Sequence, residues 1–333
     1  MCRAAASGAS SCVLMSLLVT GGSGFVGFGL LQALAARSFP NVVAAVRCAE
    51  VLVPDRIRRI VVGELSAQTD WCAALRGADA VIHAAARVHV MRDTAADPLA
   101  EFRRVNVDGT LELARQAARA GVRRFVFVSS VKVNGEASPP GRPYREDDPP
   151  APADAYALSK YEAELGLRRL VAQTGMELVI VRPPLVYGPG AKGNFRRLLW
   201  LARHAVPLPL GAVDNRRSLI GLDNLVDFLL VCLAHPAAAN RTFLVSDGQD
   251  VSTAQLYRRL AAALGRTVRL PAVPPALLRA GAVLLGRRAA WQRLCGGLQV
   301  DAGLARERLG WQAPLDLDEG LRRAARDFLQ EVG

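Results

Sequence analysis

Thr20-Gly21-Gly22-Ser23-Gly24-Phe25-Val26-Gly27 follows the apolar run Leu17-Leu18-Val19 and leads into Leu30, Leu31, Leu34 and Ala35 at helical spacing. A strand that turns sharply into a helix leaves the helix's first N–H groups without intrahelical partners. Those groups, together with the helix dipole, attract a pyrophosphate. Side chains at the turn would block that approach, so Gly21, Gly24 and Gly27 leave room for the turn, the phosphates and helix–strand packing. Ser23, Phe25 and Val26 complete the segment expected to meet a dinucleotide. Gly22-x-Gly24-x-x-Gly27 also satisfies the general dinucleotide pattern, so the string alone does not choose a subfamily. The strand before it and the helix after it distinguish it from a flexible glycine-rich loop.

Strand and helix patterns alternate from here. Val42-Val43-Ala44-Ala45-Val46, Ile60-Val61-Val62, Ala80-Val81-Ile82-His83, Phe125-Val126-Phe127-Val128 and Leu178-Val179-Ile180-Val181 read as strands. Helical stretches such as 111–118 lie between them. Unbroken apolar strands indicate a sheet covered on both faces. The expected class is α/β: a Rossmann-type doubly wound parallel sheet with a smaller, interleaved C-terminal substrate lobe. After Pro183 the rhythm loosens, with Pro189, Pro207, Pro209 and a cluster from Pro271 to Pro275. Residues 15–182, rejoined by about 219–247, are expected to bind the dinucleotide. Residues 183–218 and 248–330 are expected to bind substrate, and 1–14 to form an extension, with Met15 an alternative start.

The 333 residues carry a net charge of +12, with three lysines and 39 arginines spread along the chain. No basic arm or nucleic-acid module gathers that charge, so an anionic small substrate is expected rather than nucleic acid. Six cysteines show no Cys-x-x-Cys pairing and no metal-like grouping with the four histidines. Reduced thiols in a cytoplasmic protein, without a metal, are the expectation. No apolar run is long enough to span a membrane. The run from Val13 to Val19 enters the phosphate turn directly, so it reads as a first strand rather than an export signal.

Arg47 ends the strand Val42–Val46, where dinucleotide folds often place an acid for the adenosine ribose. A carboxylate there bonds the 2′-hydroxyl and repels a 2′-phosphate; a guanidinium does the reverse. Arg47 therefore favours NADP(H), with NAD(H) the alternative and a solvated surface arginine the competing reading.

Tyr156-Ala157-Leu158-Ser159-Lys160 sets a phenol and an ammonium four residues apart on one helix face. A free tyrosine titrates near 10, too high for proton exchange at neutral pH. A neighbouring ammonium and a nicotinamide cation favour phenolate, and the pair can then act as an acid/base. With 5 tyrosines and three lysines, chance supplies about 0.05 such matches.

His83-Ala84-Ala85-Ala86, Asn106-Val107-Asp108-Gly109-Thr110, Tyr156-x-x-x-Lys160 and Arg182-Pro183-Pro184-Leu185-Val186-Tyr187-Gly188-Pro189 follow the glycine turn in order. With these motifs the chain resembles, from about Met15 onwards, the extended short-chain dehydrogenase/reductases of the sugar-nucleotide epimerase/dehydratase group. The resemblance implies that Tyr156, Lys160 and Ser130 are catalytic. Lys160 would also hold the nicotinamide ribose, and Ser130 would bond the substrate oxygen. It implies cofactor contacts from Glu64, Leu65, Ala84, Ala85, Ala86, Asn106 and Pro183, with His83 structural. Asn194 and Arg217 are the foremost candidates for the substrate diphosphate, Arg293 a third, and Lys132 a residue at the substrate's edge.

Departures from the pattern narrow the reaction. The group's 4,6-dehydratases carry an Asp-Glu pair just after the catalytic Ser/Thr, where this chain has Val131 and Lys132. An apolar side chain and a cation do not replace two carboxylates, so a dehydratase is not expected. The run from Ser129 to Glu136 and the segment from Phe243 to Gly248 look like bacterial UDP-4-keto-6-deoxy-N-acetylhexosamine 4-reductases of surface-polysaccharide (O-antigen) synthesis. Reduction of that C4 ketone by NADPH is the main expectation. The alternative is a UDP-glucose or UDP-N-acetylglucosamine 4-epimerase with bound NAD. A reductase of a non-sugar ketone and a noncatalytic NAD(P) sensor rank lower. A homodimer is expected.

Overall fold

The computed structural model describes residues 15–88 and 97–332, without the side chains at 288–290 and 293. The expected extension 1–14 lies outside the described residues. The strands are β1 (Leu17–Thr20), β2 (Val42–Val46), β3 (Arg58–Val61), β4 (Ala80–His83), β5 (Arg124–Val128), β6 (Glu177–Arg182), β7 (Leu185–Tyr187), β8 (Leu219–Gly221) and β9 (Arg241–Leu244). Seven of them form one parallel sheet in the order β3-β2-β1-β4-β5-β6-β9.

The helices are α1 (Phe25–Ala36), α2 (Cys72–Leu75), α3 (Pro98–Arg103), α4 (Gly109–Arg119), α5 (Ala155–Thr174), α6 (Gly193–Arg203), α7 (Leu222–Ala234), α8 (Thr253–Ala263), α9 (Pro275–Leu284), α10 (Arg288–Cys295), α11 (Gly303–Leu309) and α12 (Leu317–Val332). Successive strand residues point to opposite faces, and β1 shows why its run is wholly apolar. Leu17 and Val19 pack with Leu30, Leu34, Phe228 and Leu229 of α1 and α7. Leu18 packs on the other face with Leu113 of α4 and Ala163 and Leu167 of α5. Met15 packs against the first of these cores.

The sheet departs from the expectation at one point. Leu219–Gly221 does not rejoin the main sheet; β8 pairs with β7 in a separate two-stranded parallel ribbon. Pro183 and Pro184 follow β6 directly and lack the N–H that a ladder requires, so the chain leaves the sheet there. The edge of β6 is taken instead by β9, with Val179 opposite Arg241 and Arg182 opposite Leu244. The ribbon, α6, α8 and α12 share a further core built on Tyr187, Phe195, Leu219, Tyr257, Leu260 and Phe328.

Candidate active site

Strand order reverses between β1 and β4, and in such sheets ligands bind outside the carboxyl ends of the strands at that point. The glycine turn sits there. Gly21 has φ +77°, and the Gly24 N–H closes the turn on the Gly21 carbonyl at 2.8 Å. Gly24 caps α1 without a side chain, and the first turn of α1 holds no acid. A Cβ on Gly21 would lie 2.6 Å from the Ala85 nitrogen, and one on Gly27 would collide with the Gly21 carbonyl. The bare backbone at the positive end of α1 therefore fits a dinucleotide pyrophosphate. Ala84, Ala85 and Ala86 continue from β4 beside this turn and are half-buried.

His83 closes β4 beneath the turn. Its Nδ1 lies 2.7 Å from Thr20 Oγ1 and its Nε2 2.9 Å from Thr110 Oγ1, so both ring nitrogens are engaged. Burial, with the Lys160 charge adding to it, brings its pKa down to about 3. It is a neutral structural residue.

Arg47 is exposed at the end of β2. Glu64 and Leu65 follow β3: the Glu64 carbonyl accepts from Thr69 Oγ1 at 2.7 Å, and Leu65 is buried beside Gly109. The Glu64 carboxylate is mostly exposed and lies 3.6 Å from the Arg104 guanidinium. Asn106 is buried in a π-helical turn, Arg104–Asp108. Its amide bonds the Arg87 carbonyl and N–H at 3.0 and 2.8 Å and donates to Ser159 Oγ at 3.0 Å. Asn106 thereby ties the loop after β4 to α5.

Asp154 caps α5, its Oδ1 accepting from the Ala157 N–H at 2.7 Å. Tyr156 is half-buried, edge-on to Phe102, with Ser159 Oγ donating to its carbonyl at 2.8 Å. Lys160, one turn on, is buried, with Nζ 4.3 Å from the centre of the Phe127 ring. Ser130 ends β5. The N–H groups on either side of it, from Ser129 and Val131, donate to the carbonyls of Val181 and Pro183 at 2.7 and 3.0 Å. Ser130 Oγ accepts from the Lys132 N–H at 3.2 Å.

The charge balance differs from the expectation. Burial, with Asp154 adding to it, pushes the Tyr156 phenol up to about 12. Burial brings Lys160 down to about 7, against the opposing pull of Glu164. Desolvation penalises the charged form of both groups, so in the protein itself the ammonium does not win. A positive nicotinamide ring, when bound, is the further charge that favours phenolate.

A buried polar cluster beneath these groups was not anticipated. Glu164 is fully buried and receives hydrogen bonds from Ser129, Arg182 and Arg168. The four-residue step from Tyr156 to Lys160 continues to Glu164. Together with an arginine closing the apolar strand β6, that spacing was the signal available in the sequence.

Lys132 Nζ lies 2.5 Å from Asp154 and 3.5 Å from Glu136, so this cation braces the cap of α5. Asn194 is exposed in the first turn of α6, beside Phe195. Arg217 lies between two chain segments, exchanging backbone hydrogen bonds with Val251 at 3.0 and 3.1 Å, while its neighbours pair with Leu298. Burial holds its guanidinium below the ordinary arginine value. Phe195, Leu219 and Val251 share one core, which brings the segments of Asn194 and Arg217 together. Leu298 packs against Val131, next to Ser130. The Arg293 side chain lies outside the described residues. A cavity of about 310 Å³ between α5 and β9, lined by Arg168, Met176, Asn240 and Arg241, includes none of the expected site residues.

A dinucleotide turn at the switch point, with a half-buried tyrosine and a buried lysine one helical turn apart beside the β5 strand end, defines an NAD-dependent enzyme of the extended short-chain dehydrogenase/reductase type. The chain belongs to the NAD dependent epimerase/dehydratase family, whose model matches residues 17–246. It is 46% identical over 317 residues to a UDP-glucose 4-epimerase of Vibrio cholerae, covering 95% of this chain and 96% of that protein. In fold it resembles the UDP-glucuronic acid 4-epimerase of Bacillus cereus in complex with NAD, with TM-score 0.76 and 20% identity over 95% of this chain and 99% of that one. It also resembles the UDP-glucose 4-epimerase of Thermotoga maritima with UDP-glucose, with TM-score 0.75 and 22% identity over 96% of this chain and 100% of that one. Among the described residues, no helix is long and apolar enough to cross a membrane.

Proposed function

We propose that this chain interconverts the C4 epimers of a UDP-hexose, UDP-glucose being the first substrate to test, with NAD(H) retained at the glycine turn. The observation that carries the reading is an intact Tyr156, Lys160 and Ser130 set in a chain 46% identical to a UDP-glucose 4-epimerase across 95% of its length. That likeness favours the epimerase alternative over the reductase expectation.

Tyr156 exchanges a proton with the C4 hydroxyl. Ser130 holds that oxygen, and Lys160 holds the nicotinamide ribose while adding positive charge near the phenol. The nicotinamide, when bound, supplies the hydride acceptor and donor. Arg217, Asn194 and Arg293 are the proposed diphosphate contacts, because a guanidinium suits paired phosphate oxygens. Lys132 and Asp154 border the sugar. Glu64, Leu65 and Asn106 shape the cofactor channel, and Pro183 borders the nicotinamide. We place the reaction in the cytoplasm, supplying sugar donors for surface polysaccharide, in a homodimer.

One observation favours a second reading, the NADPH-dependent C4 ketone reductase: Arg47 is exposed at the end of β2, suited to a 2′-phosphate. The test has two arms. Purified protein receives UDP-glucose or UDP-N-acetylglucosamine without added cofactor. In parallel it receives UDP-4-keto-6-deoxy-N-acetylhexosamine with NADPH. Appearance of the galacto epimer in the first arm is expected; turnover only in the second selects the reductase.

A further inference from the structure

Glu164 is the only buried carboxylate among the described residues. Its Oε1 accepts from Ser129 Oγ at 2.6 Å and from Arg182 Nε at 2.9 Å. Its Oε2 accepts from Arg182 Nη2 at 2.6 Å and Arg168 Nη2 at 3.3 Å. Arg182 Nη1 donates to Asn134 Oδ1 at 3.0 Å, and Asn134 Nδ2 donates to the Arg145 carbonyl at 3.0 Å. An ion pair serving only to join α5 to β6 would need no partner on the active-site strand. This one grips that strand end on both sides of Ser130, at Ser129 before it and Asn134 after it. Ser130 is extended, with φ −157° and ψ 146°, so its side chain and that of Ser129 point to opposite sides. Fixing Ser129 towards α5 therefore fixes the direction of Ser130.

We propose that Glu164 is a positioning residue: it locks the Ser129–Asn134 strand end that carries Ser130 onto the helix that carries Tyr156 and Lys160, and balances the charge of the Lys160 ammonium. The titratable groups set against this pair from other elements are His83 from β4 and Arg182 from β6. Tyr156, Asp154 and Arg168 flank it on α5 itself, and the Arg103–Glu162 pair of α3 and α5 lies at the surface. Among these, Glu164 is the group that opposes the desolvation of Lys160. The inference rests on the epimerase reading only where turnover is measured.

The chain has only three lysines, at 132, 160 and 192. Full-length protein labelled at the lysine ε-carbon therefore gives three NMR signals, assigned with Lys132→Arg and Lys192→Arg. In Glu164→Gln the midpoint of the Lys160 signal falls by about one pH unit, because a carboxylate is lost and Arg182 is left beside it. Glu164→Asp recovers part of that shift. The kcat for UDP-glucose falls about ten-fold or more with cofactor content unchanged, since small misplacements of reacting groups are costly. Ser129→Ala keeps the ion pair but removes one hydrogen bond to the buried carboxylate, so the melting temperature falls somewhat while the protein stays folded and kcat drops. An unmoved Lys160 midpoint in folded Glu164→Gln, or full turnover in Ser129→Ala, overturns the proposal. Should the wild type epimerise no UDP-hexose, the epimerase reading falls, and the Lys160 titration still decides this one.

Discussion

Tyr156 and His83 show how burial assigns opposite roles to two titratable side chains of one site. The phenol is held protonated in the protein alone, ready to give or take a proton once the cofactor's charge is added. Tyr156→Phe keeps the ring and removes that proton. Turnover is expected to fall by about 10²–10⁴, the usual share of an acid/base group, while dinucleotide binding persists; stopped-assay rates alongside cofactor fluorescence test this. His83 is held neutral. Between about pH 6.5 and about 3 the unfolded chain binds a proton there that the folded chain does not. Stability therefore falls as pH falls through that window, by about 1.4 kcal/mol per unit where the difference is a full proton. His83→Gln, although less stable overall, should show a flatter dependence in urea unfolding across those pH values. Arg47 makes a third claim at this scale. Arg47→Asp should weaken NADPH relative to NADH, and a wild type indifferent to the two cofactors would remove the argument from this side chain.

At the scale of elements, the glycine turn has the least tolerance. Gly27→Ala sets a Cβ against the Gly21 carbonyl, and neither backbone can yield without opening the β1–α1 turn. We expect a loss of about 1–3 kcal/mol, the usual cost of overpacking, and a protein isolated with less cofactor; thermal melts with added NAD measure both. This turn was legible because its glycines lie between an apolar strand and a helical pattern. The main strands were legible too, because burial on both faces makes their apolar runs continuous. The β7–β8 ribbon was not, since three-residue strands carry no period to read. The Glu164–Arg182 cluster escaped because its partners come from α5, β5, β6 and the turn after β5. The spacing on α5 is local, but what it meets is tertiary. Likewise the depression of Lys160 follows from enclosure, which residue order does not display.

For the whole molecule, the decisive feature is that the seven-stranded sheet is not finished before the lobe built on the β7–β8 ribbon begins. Leu185–Tyr187 and Leu219–Gly221 build the ribbon; only then do α7 and β9 return to cover α1 and pair with β6. A fragment ending at Pro184 lacks the helix that contributes Phe228 and Leu229 to the first core, and leaves the edge of β6 open. Unpaired edges and uncovered apolar faces favour association between chains. Such a fragment is expected to aggregate rather than bind NAD, whereas a protein folding as two independent pieces would leave it soluble and cofactor-competent in sedimentation and fluorescence assays.

The same threading bears on synthesis and on inheritance. As the chain leaves the ribosome, β6 waits with one side exposed until residues 241–244 emerge, so the sheet closes late in translation. Nor can the lobe be exchanged between relatives as one cassette. It enters the gene as two separated stretches, and a recombinant that swaps only one of them joins half of a ribbon to a stranger.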